Sequence, residues 1–360
     1  MKIASFFSGA GGLDRGFENA GFEVMWANEY DKTIWQTYER NFPHTTLDRR
    51  SIVDIDANDV PDCDGIIGGP PCQSWSEAGA LRGIEDQRGQ LFFEYIRIID
   101  KKRPKFFLAE NVSGILFPRH REAFVRILDS FAQLGYNVSY TLVNANDYGV
   151  PQDRHRVIIV GYQSQYGKLF RPPSPLKNKP TLKDAIKDLE KNVVPALDKN
   201  KTNPKQKVVN HEYMVGGFST IYMSRNRVRP WDKPSFTIQA GGRHAPIHPQ
   251  APEMVHYGVN DKRFVEGKED LYRRLSVREC ARIQTFPDTH VFHYHSVSDG
   301  YKMIGNAVPV NLAYHLANKI KEDLWETKPV NKRNLNIGQV VEINEQLLLQ
   351  EGLELEEMCS

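Results

Sequence analysis

One cysteine and two carboxylates hold the positions in this chain from which covalent chemistry could be run. Cys72 lies in Gly68-Gly69-Pro70-Pro71-Cys72-Gln73-Ser74-Trp75-Ser76, directly after Ile66-Ile67, which reads as the end of a buried strand. Paired glycines permit a sharp turn or close approach to a ligand, and the prolines then stiffen the chain. A thiol on such a loop end stands at the rim of a sheet, where α/β enzymes keep their reacting groups. As a thiolate it is the strongest nucleophile among the side chains at neutral pH. The competing reading is a structural cysteine in a Gly/Pro turn. Glu110, in Glu110-Asn111-Val112, closes the strand-like run Lys105-Phe106-Phe107-Leu108-Ala109. Parallel strands would bring it to the same rim as Cys72. Glu29 ends a second strand-like run, about 20 residues after a glycine turn, where such folds take the hydroxyls of a ribose.

Composition bounds what these groups can belong to. The 360 residues suffice for a full core and two domains. A hydrophobic share of 40% and a charged share of 26% are those of a globular protein in water. The net charge of +2 excludes a chain that is basic throughout, so any surface for nucleic acid must be local. Cys63, Cys72, Cys280 and Cys359 are scattered, without a metal-type CxxC spacing, which predicts a reducing, cytosolic setting and no metal. Met1-Lys2 leads straight into a strand-like run, so no leader peptide is expected, and no apolar run approaches a membrane span.

The positioning elements alternate. Lys2 to Phe7 predicts a strand, Ser8-Gly9-Ala10-Gly11-Gly12 a turn, and Leu13, Phe17, Ala20 and Phe22 a helix. Glu23 to Asn28 predicts the next strand, and Gly65 to Gly68 the third. A polar segment over 77–89 precedes a helix at Leu91 to Ile99, and a second helix follows through Phe124, Ile127, Leu128 and Phe131. Asn137 to Asn144 and Arg156 to Tyr162 predict two more strands. Strands and helices in this order predict an α/β fold with a doubly wound, mostly parallel sheet.

Beyond Gly161 the texture changes. Pro172, Pro173, Pro175 and Pro180 cluster, and between Lys199 and Arg243 nine Lys/Arg face two acids, Glu212 and Asp232. A charge run is usually a solvated face, yet Ser224-Arg225-Asn226-Arg227-Val228-Arg229 and Gly241-Gly242-Arg243-His244 are arginine-based and broken by glycines, which suits recognition. A smaller, irregular second domain is expected. Ser276 and Glu279 predict a capping box for a helix whose apolar side carries Cys280 as a core residue. A last helix is expected from Asn311 to Leu324. The expected domains are 1–165 with 300–326, then 166–299, and an acidic tail over 327–360 to which no function is assigned.

The ordered set Phe7-Ser8-Gly9-Ala10-Gly11-Gly12, Pro71-Cys72, Glu110-Asn111-Val112, Gln152-x-Arg154-x-Arg156 and Gly305-Asn306-Ala307-Val308-Pro309 resembles the DNA cytosine-5 methyltransferases, over roughly residues 1–326. Within them the chain most resembles bacterial modification enzymes that recognise GGCC. The resemblance implies S-adenosylmethionine as cofactor and a flipped-out cytosine in double-stranded DNA as substrate. It makes Cys72 the nucleophile at ring carbon 6 and Glu110 the partner of ring nitrogen 3. That second role needs a protonated or proton-sharing carboxyl, which burial favours. Arg154 and Arg156 would supply positive charge near the base, its phosphate or the thiolate. Residues 77–89, with Gly79, Gly83 and Gly89, would close as a lid. The cofactor would be held by Phe7, Gly9, Gly11, Glu29, Tyr30, Ile52, Pro71, Leu91, Asn306 and Val308. One departure stands at Arg50-Ser51-Ile52, where relatives often carry an Asp for the adenine amino group; Asp54 is a candidate substitute. Arg225, Arg227 and Arg243 are the expected readers of guanine, with Arg229 and the lysines of 199–207 on phosphates. A monomer in the bacterial cytoplasm, paired in function with a cognate restriction endonuclease but not necessarily bound to it, completes the expectation.

Other readings remain at this point. A branch of the family methylates transfer RNA, and a silent DNA-binding relative would share the fold. A nicotinamide dehydrogenase would share the sheet, but leaves the Pro-Cys and Glu-Asn-Val pair unexplained.

Overall fold

The computed structural model describes residues 1–71, 87–325, 327 and 338–343. Strands form at β1 (Lys2–Phe6), β2 (Glu23–Asn28), β3 (Thr46–Asp48), β4 (Gly65–Gly68), β5 (Phe106–Val112), β6 (Tyr136–Asn144) and β7 (His155–Gln163). Short strands follow at β8 (Val194–Pro195), β9 (Glu212–Tyr213), β10 (Val255–Gly258), β11 (Asp261–Arg263) and β12 (Val340–Glu342). The helices are α1 (Gly12–Asn19), α2 (Trp35–Asn41), α3 (Gln87–Lys102), α4 (Arg121–Gln133), α5 (Leu182–Ile186), α6 (Thr220–Met223), α7 (Val277–Ile283), α8 (Val297–Asn306) and α9 (Val310–Leu324).

The main sheet runs β12-β6-β7-β5-β4-β1-β2-β3. Its neighbours pair parallel except at β7, which is antiparallel to both β5 and β6. Alternate residues of one strand feed opposite faces, as the pleat requires. From β5, Phe107 and Ala109 join a core with Phe92, Tyr95 and Ile99 of α3 and Ile127 and Phe131 of α4. Phe106 and Leu108 join the other core, with Phe17 of α1 and Leu312, Leu316 and Ile320 of α9. Both faces are covered, so β4 and the Phe106–Ala109 half of β5 read as apolar runs, with Glu110 and Asn111 at the rim. The expected doubly wound, mostly parallel α/β sheet is the observed one.

Residues 166–299 contain little regular structure. One core there gathers Leu182, Ile186, Ile238, Cys280 and Ile283 with Tyr301 and Ile304 of α8, and a smaller one gathers Tyr222, Val228, Ile247 and Tyr272. The capping box forms as expected: Ser276 Oγ accepts from Glu279 N–H (3.1 Å) and Glu279 Oε2 from Ser276 N–H (2.7 Å). Cys280 is buried in the core.

Three elements depart from the expectation. β3 is only three residues long, too short for a period to show. α8 runs through Gly300 and Gly305, where the sequence reading assigned no element; burial of Tyr301, Met303 and Ile304 outweighs the glycines' poor helix propensity. Part of the acidic tail is not a separate extension, because β12 pairs with Val138–Tyr140 of β6 and widens the sheet. No helix among the described residues is long and apolar enough to cross a membrane.

Candidate active site

The strand order runs outward from β1 to β2 and β3 on one side and to β4 and β5 on the other, which opens a crevice at their C-terminal ends. The antiparallel β7 starts at that same rim, with Arg156 opposite Val112 of β5. Carboxylates at strand ends and arginines at a strand start are thereby brought to one rim from three separate stretches of chain.

On the β1–β2 side the glycine turn forms a cradle. Phe7, Gly9 and Gly11 have φ of 52°, 55° and 81°. A Cβ on Gly11 would stand 2.1 Å from Cε2 of Phe42, whereas one on Gly9 would meet nothing within 4 Å. The turn is thus packed at its back and open at its front. Glu29 crosses the front: Gly9 N–H donates to its Oε2 (2.9 Å) and Asp31 N–H to its Oε1 (2.7 Å). Burial pushes this carboxyl above its ordinary value, partly offset by those two N–H groups. Ser8 Oγ is buried with no partner among the described residues, a spare polar atom beside the opening. Each oxygen of Glu29 keeps a lone pair for a diol. The cradle therefore fits the nucleoside part of the methyl donor that the sequence resemblance implies. Tyr30 is 71% exposed beside Glu29 and Ile52 is buried. Asn28 Nδ2 donates to the carbonyls of Asp48 (3.0 Å) and Arg50 (2.7 Å), holding Ser51-Ile52 near the end of β2. Arg50 is itself engaged by Asp48 and Asp59. Pro71 and Leu91 are half-buried, Asn306 is exposed and Val308 buried.

On the β4–β5 side Glu110 is 8% exposed. Its Oε1 accepts from Arg156 Nε at 2.7 Å. A Cβ on Gly69 would lie 3.3 Å from its Oε2, so the loop after β4 crosses directly over the carboxylate. Asn111 ties that loop down: its Nδ2 donates to Pro70 O (3.2 Å) while its Oδ1 accepts from Val112 N–H (2.9 Å). Cys72, Trp75 and residues 77–86 lie outside the described residues; of the expected lid, 87–89 form the first turn of α3. The thiol position is one peptide bond beyond Pro71, whose neighbour Pro70 is held against Glu110's strand.

Arg154 has a different placement from the one expected. It is 1% exposed, and its guanidinium donates to the carbonyls of Ile238 (3.0 Å), Gly305 (2.8 Å) and Ala307 (3.1 Å). Burial, then the charge of Arg156, pushes its pKa well below the ordinary arginine value. All three bonds go to main chain, so Arg154 positions other segments and leaves Arg156 as the guanidinium that meets Glu110. Gln152 and Gln284 complete this buried junction. Gln152 Nε2 donates to Gln284 Oε1 (2.9 Å) and its Oε1 accepts from Ile238 N–H (2.7 Å). Gln284 Nε2 donates to Ile304 O (2.9 Å) and Ala307 O (3.3 Å). The approach to β7, the Ile238 segment and the turn between α8 and α9 are locked as one unit. Gln284 escaped the sequence reading; a lone amide ending an apolar helix was its only signal.

A family model described as C-5 cytosine-specific DNA methylase matches residues 1–322. The chain belongs to that family. The methylase is 57% identical over 336 residues to the Type II methyltransferase M.FnuDI of Fusobacterium nucleatum, covering 92% of this chain and 97% of the relative. It is 58% identical to M.NgoPII of Neisseria gonorrhoeae, covering 90% and 96%. It is 55% identical to M.MthTI of Methanothermobacter thermautotrophicus, covering 90% and 98%. Among solved structures, a putative DNA modification methyltransferase from an Escherichia coli prophage superposes with a TM-score of 0.68 at 23% identity, over 91% of this chain and all of that one. Spodoptera frugiperda DNMT2 gives 0.64 at 19% identity, over 90% and 99%. These structural likenesses carry the fold, and the sequence relatives carry the activity: DNA cytosine-5 methylation.

The methylase presents two of its expected recognition arginines, Arg225 and Arg243, as exposed side chains. Arg227 is half-buried, its Nε donating to Tyr222 O (2.8 Å) and Nη2 to Ile221 O (3.2 Å), so it closes α6 from behind. Both of these bonds go to main-chain carbonyls. Arg229, expected on phosphate, donates to Asp153 Oδ2 (3.2 Å). Arg274, unnoticed in the sequence, bridges the carbonyls of Gly216 (3.1 Å) and Gly217 (2.9 Å) and stacks on Phe218. It braces the loop that leads into α6.

Proposed function

We propose that this methylase transfers a methyl group from S-adenosylmethionine to carbon 5 of a cytosine in GGCC, through a transient bond between Cys72 and the base. The observation that carries the reading is the buried Glu110–Arg156 pair lying under a loop that Asn111 fixes at Pro70, two residues before Cys72. Cytosine carbon 5 is a poor nucleophile until carbon 6 is saturated. Addition of the Cys72 thiolate to carbon 6 forms the S–C bond and pushes electron density to carbon 5 and ring nitrogen 3. Glu110 shares a proton with that nitrogen, and Arg156 offsets the charge left on the carboxylate. S-adenosylmethionine, which Phe7, Gly9, Gly11, Glu29 and Val308 would hold, would supply when bound an electrophilic methyl group for carbon 5, leaving S-adenosylhomocysteine as the departing thioether. A base then takes the proton from carbon 5, the carbon 5–carbon 6 double bond reforms, and the thiolate leaves.

Neither face of a stacked cytosine is open to a thiol, so the base must swing out of the duplex. Residues 166–299 act in this reading as the target-recognition domain, with Arg225 and Arg243 reading guanine edges and Lys199, Lys201, Lys205 and Lys207 on phosphates. Paired with a restriction endonuclease, the enzyme would mark its host's DNA in the bacterial cytoplasm as a monomer.

The test is to express the wild type and Cys72→Ser in cells lacking cytosine methylation and map 5-methylcytosine. New marks confined to GGCC with the wild type alone are expected. Marks in another sequence overturn the specificity, and marks made by Cys72→Ser overturn the covalent step. Attachment of the protein to a duplex carrying 5-fluorocytosine gives the adduct directly.

A further inference from the structure

Glu29 does not stand alone in the cradle. Two residues on, Asp31 places a second carboxylate against it, and the two acids share a short loop. Asp31 Oδ1 accepts from Thr33 N–H (3.0 Å) and Thr33 Oγ1 (2.7 Å), which fixes it there. Its other oxygen, Oδ2, accepts from Lys302 Nζ, across 271 positions of sequence. Lys302 lies on α8, one turn before Asn306, so the face of α8 that reaches Asp31 also carries a residue expected to line the cofactor. We propose that Lys302 is a positioning residue for the cofactor: it neutralises Asp31 so that Glu29 can remain an ionised acceptor aimed at the ribose hydroxyls. The inference rests on the reading that Glu29 takes those hydroxyls.

The electrostatics run the same way. Burial is the main influence raising the Glu29 carboxyl, Asp31's charge raises it further, and Lys302's charge lowers it. The main-chain N–H of Asp31 is also one of the two donors to Glu29, so any swing of Asp31 disturbs the acceptor at a second point. Removing the ammonium leaves two carboxylates facing each other with one less reason to hold still. Because α8 leads directly into the junction held by Arg154 and Gln284, the same pair couples that junction to the cofactor loop.

Isothermal titration of S-adenosylhomocysteine into the full-length protein tests this, using wild type, Lys302→Met, Lys302→Arg, Asp31→Asn and the double variant Asp31→Asn/Lys302→Met. Lys302→Met is expected to weaken binding about three- to five-fold, the scale of a partly exposed ion pair, with Lys302→Arg near the wild type. The double variant should bind more tightly than Lys302→Met alone, because the uncompensated charge has gone. A merely structural ion pair would not give that recovery. Melting temperature and affinity for duplex DNA without cofactor are expected to stay at wild-type values. The proposal is overturned if Lys302→Met binds as the wild type does, or if the second substitution brings no recovery. A wild type that binds no S-adenosylhomocysteine would overturn the cofactor reading itself, and this inference with it.

Discussion

Replacing Arg154 by methionine separates the two arginines of Gln152-x-Arg154-x-Arg156 by what each loses. Methionine roughly fills the space but has no donor. Ile238 O and Gly305 O then lose their side-chain partner, while Ala307 O keeps Gln284 Nε2 at 3.3 Å. Gly305 O lies among the last carbonyls of α8, which have no partner within the helix. Two buried carbonyls at ~1–3 kcal/mol each give a gross cost of roughly 2–6 kcal/mol. Relief of the buried guanidinium's desolvation offsets part of that, for a net loss of about 2–3 kcal/mol. Urea unfolding followed by tryptophan fluorescence reads the loss as a lower midpoint. Arg156→Met removes the Glu110 partner at a nearly buried rim. It should lower methyl transfer far more than the urea midpoint. If Arg154→Met unfolds at the wild-type midpoint and still loses activity, its guanidinium acts on the substrate and the junction argument fails.

Alanine at the two cradle glycines should act on different quantities. Gly9→Ala enters open space and costs only the left-handed strain of about 1–2 kcal/mol, but its methyl group fills the ligand's side, so titrated cofactor affinity should drop sharply. Gly11→Ala drives a methyl group into Phe42 and should lower the melting temperature more than Gly9→Ala does. Asp14 is wholly buried, accepting from Ser5 Oγ (2.6 Å) and Tyr38 Oη (2.5 Å), and burial pushes its pKa up from 3.8 to about 7. The folded chain therefore holds a proton there that the unfolded chain has released between those values. This contribution to stability is complete below the lower value and is lost as pH rises through the upper one. Asp14→Asn should remove that slope from urea midpoints measured across the window; an unchanged slope assigns the titration elsewhere. Among DNA contacts, Arg225→Ala or Arg243→Ala should cost ~1–3 kcal/mol of discrimination at one base pair. Lys205→Ala should weaken all sequences alike and reduce the salt slope by about 0.9, and competition binding distinguishes the two patterns.

Much of this was legible in the chain itself, because residue type and local period are local properties. The glycine turn, Glu29 at the end of β2, Glu110 at the end of β5 and the Ser276–Glu279 cap were each readable within a short window. So was the α/β alternation that brings the acids to one rim. What lay beyond reach was decided between distant segments. No period states a strand's direction, so only the pairing of β7 with β5 brings Arg156 to Glu110. The same holds for the carbonyl partners of Arg154 and Arg227, which lie on segments or turns that the fold alone brings near them. Lys302 on Asp31 and β12 on β6 are the remaining cases. A sequence determines which groups are available. Which of them reach substrate and which are used up holding the chain together depends on where buried donors and acceptors find partners, and that is settled in three dimensions.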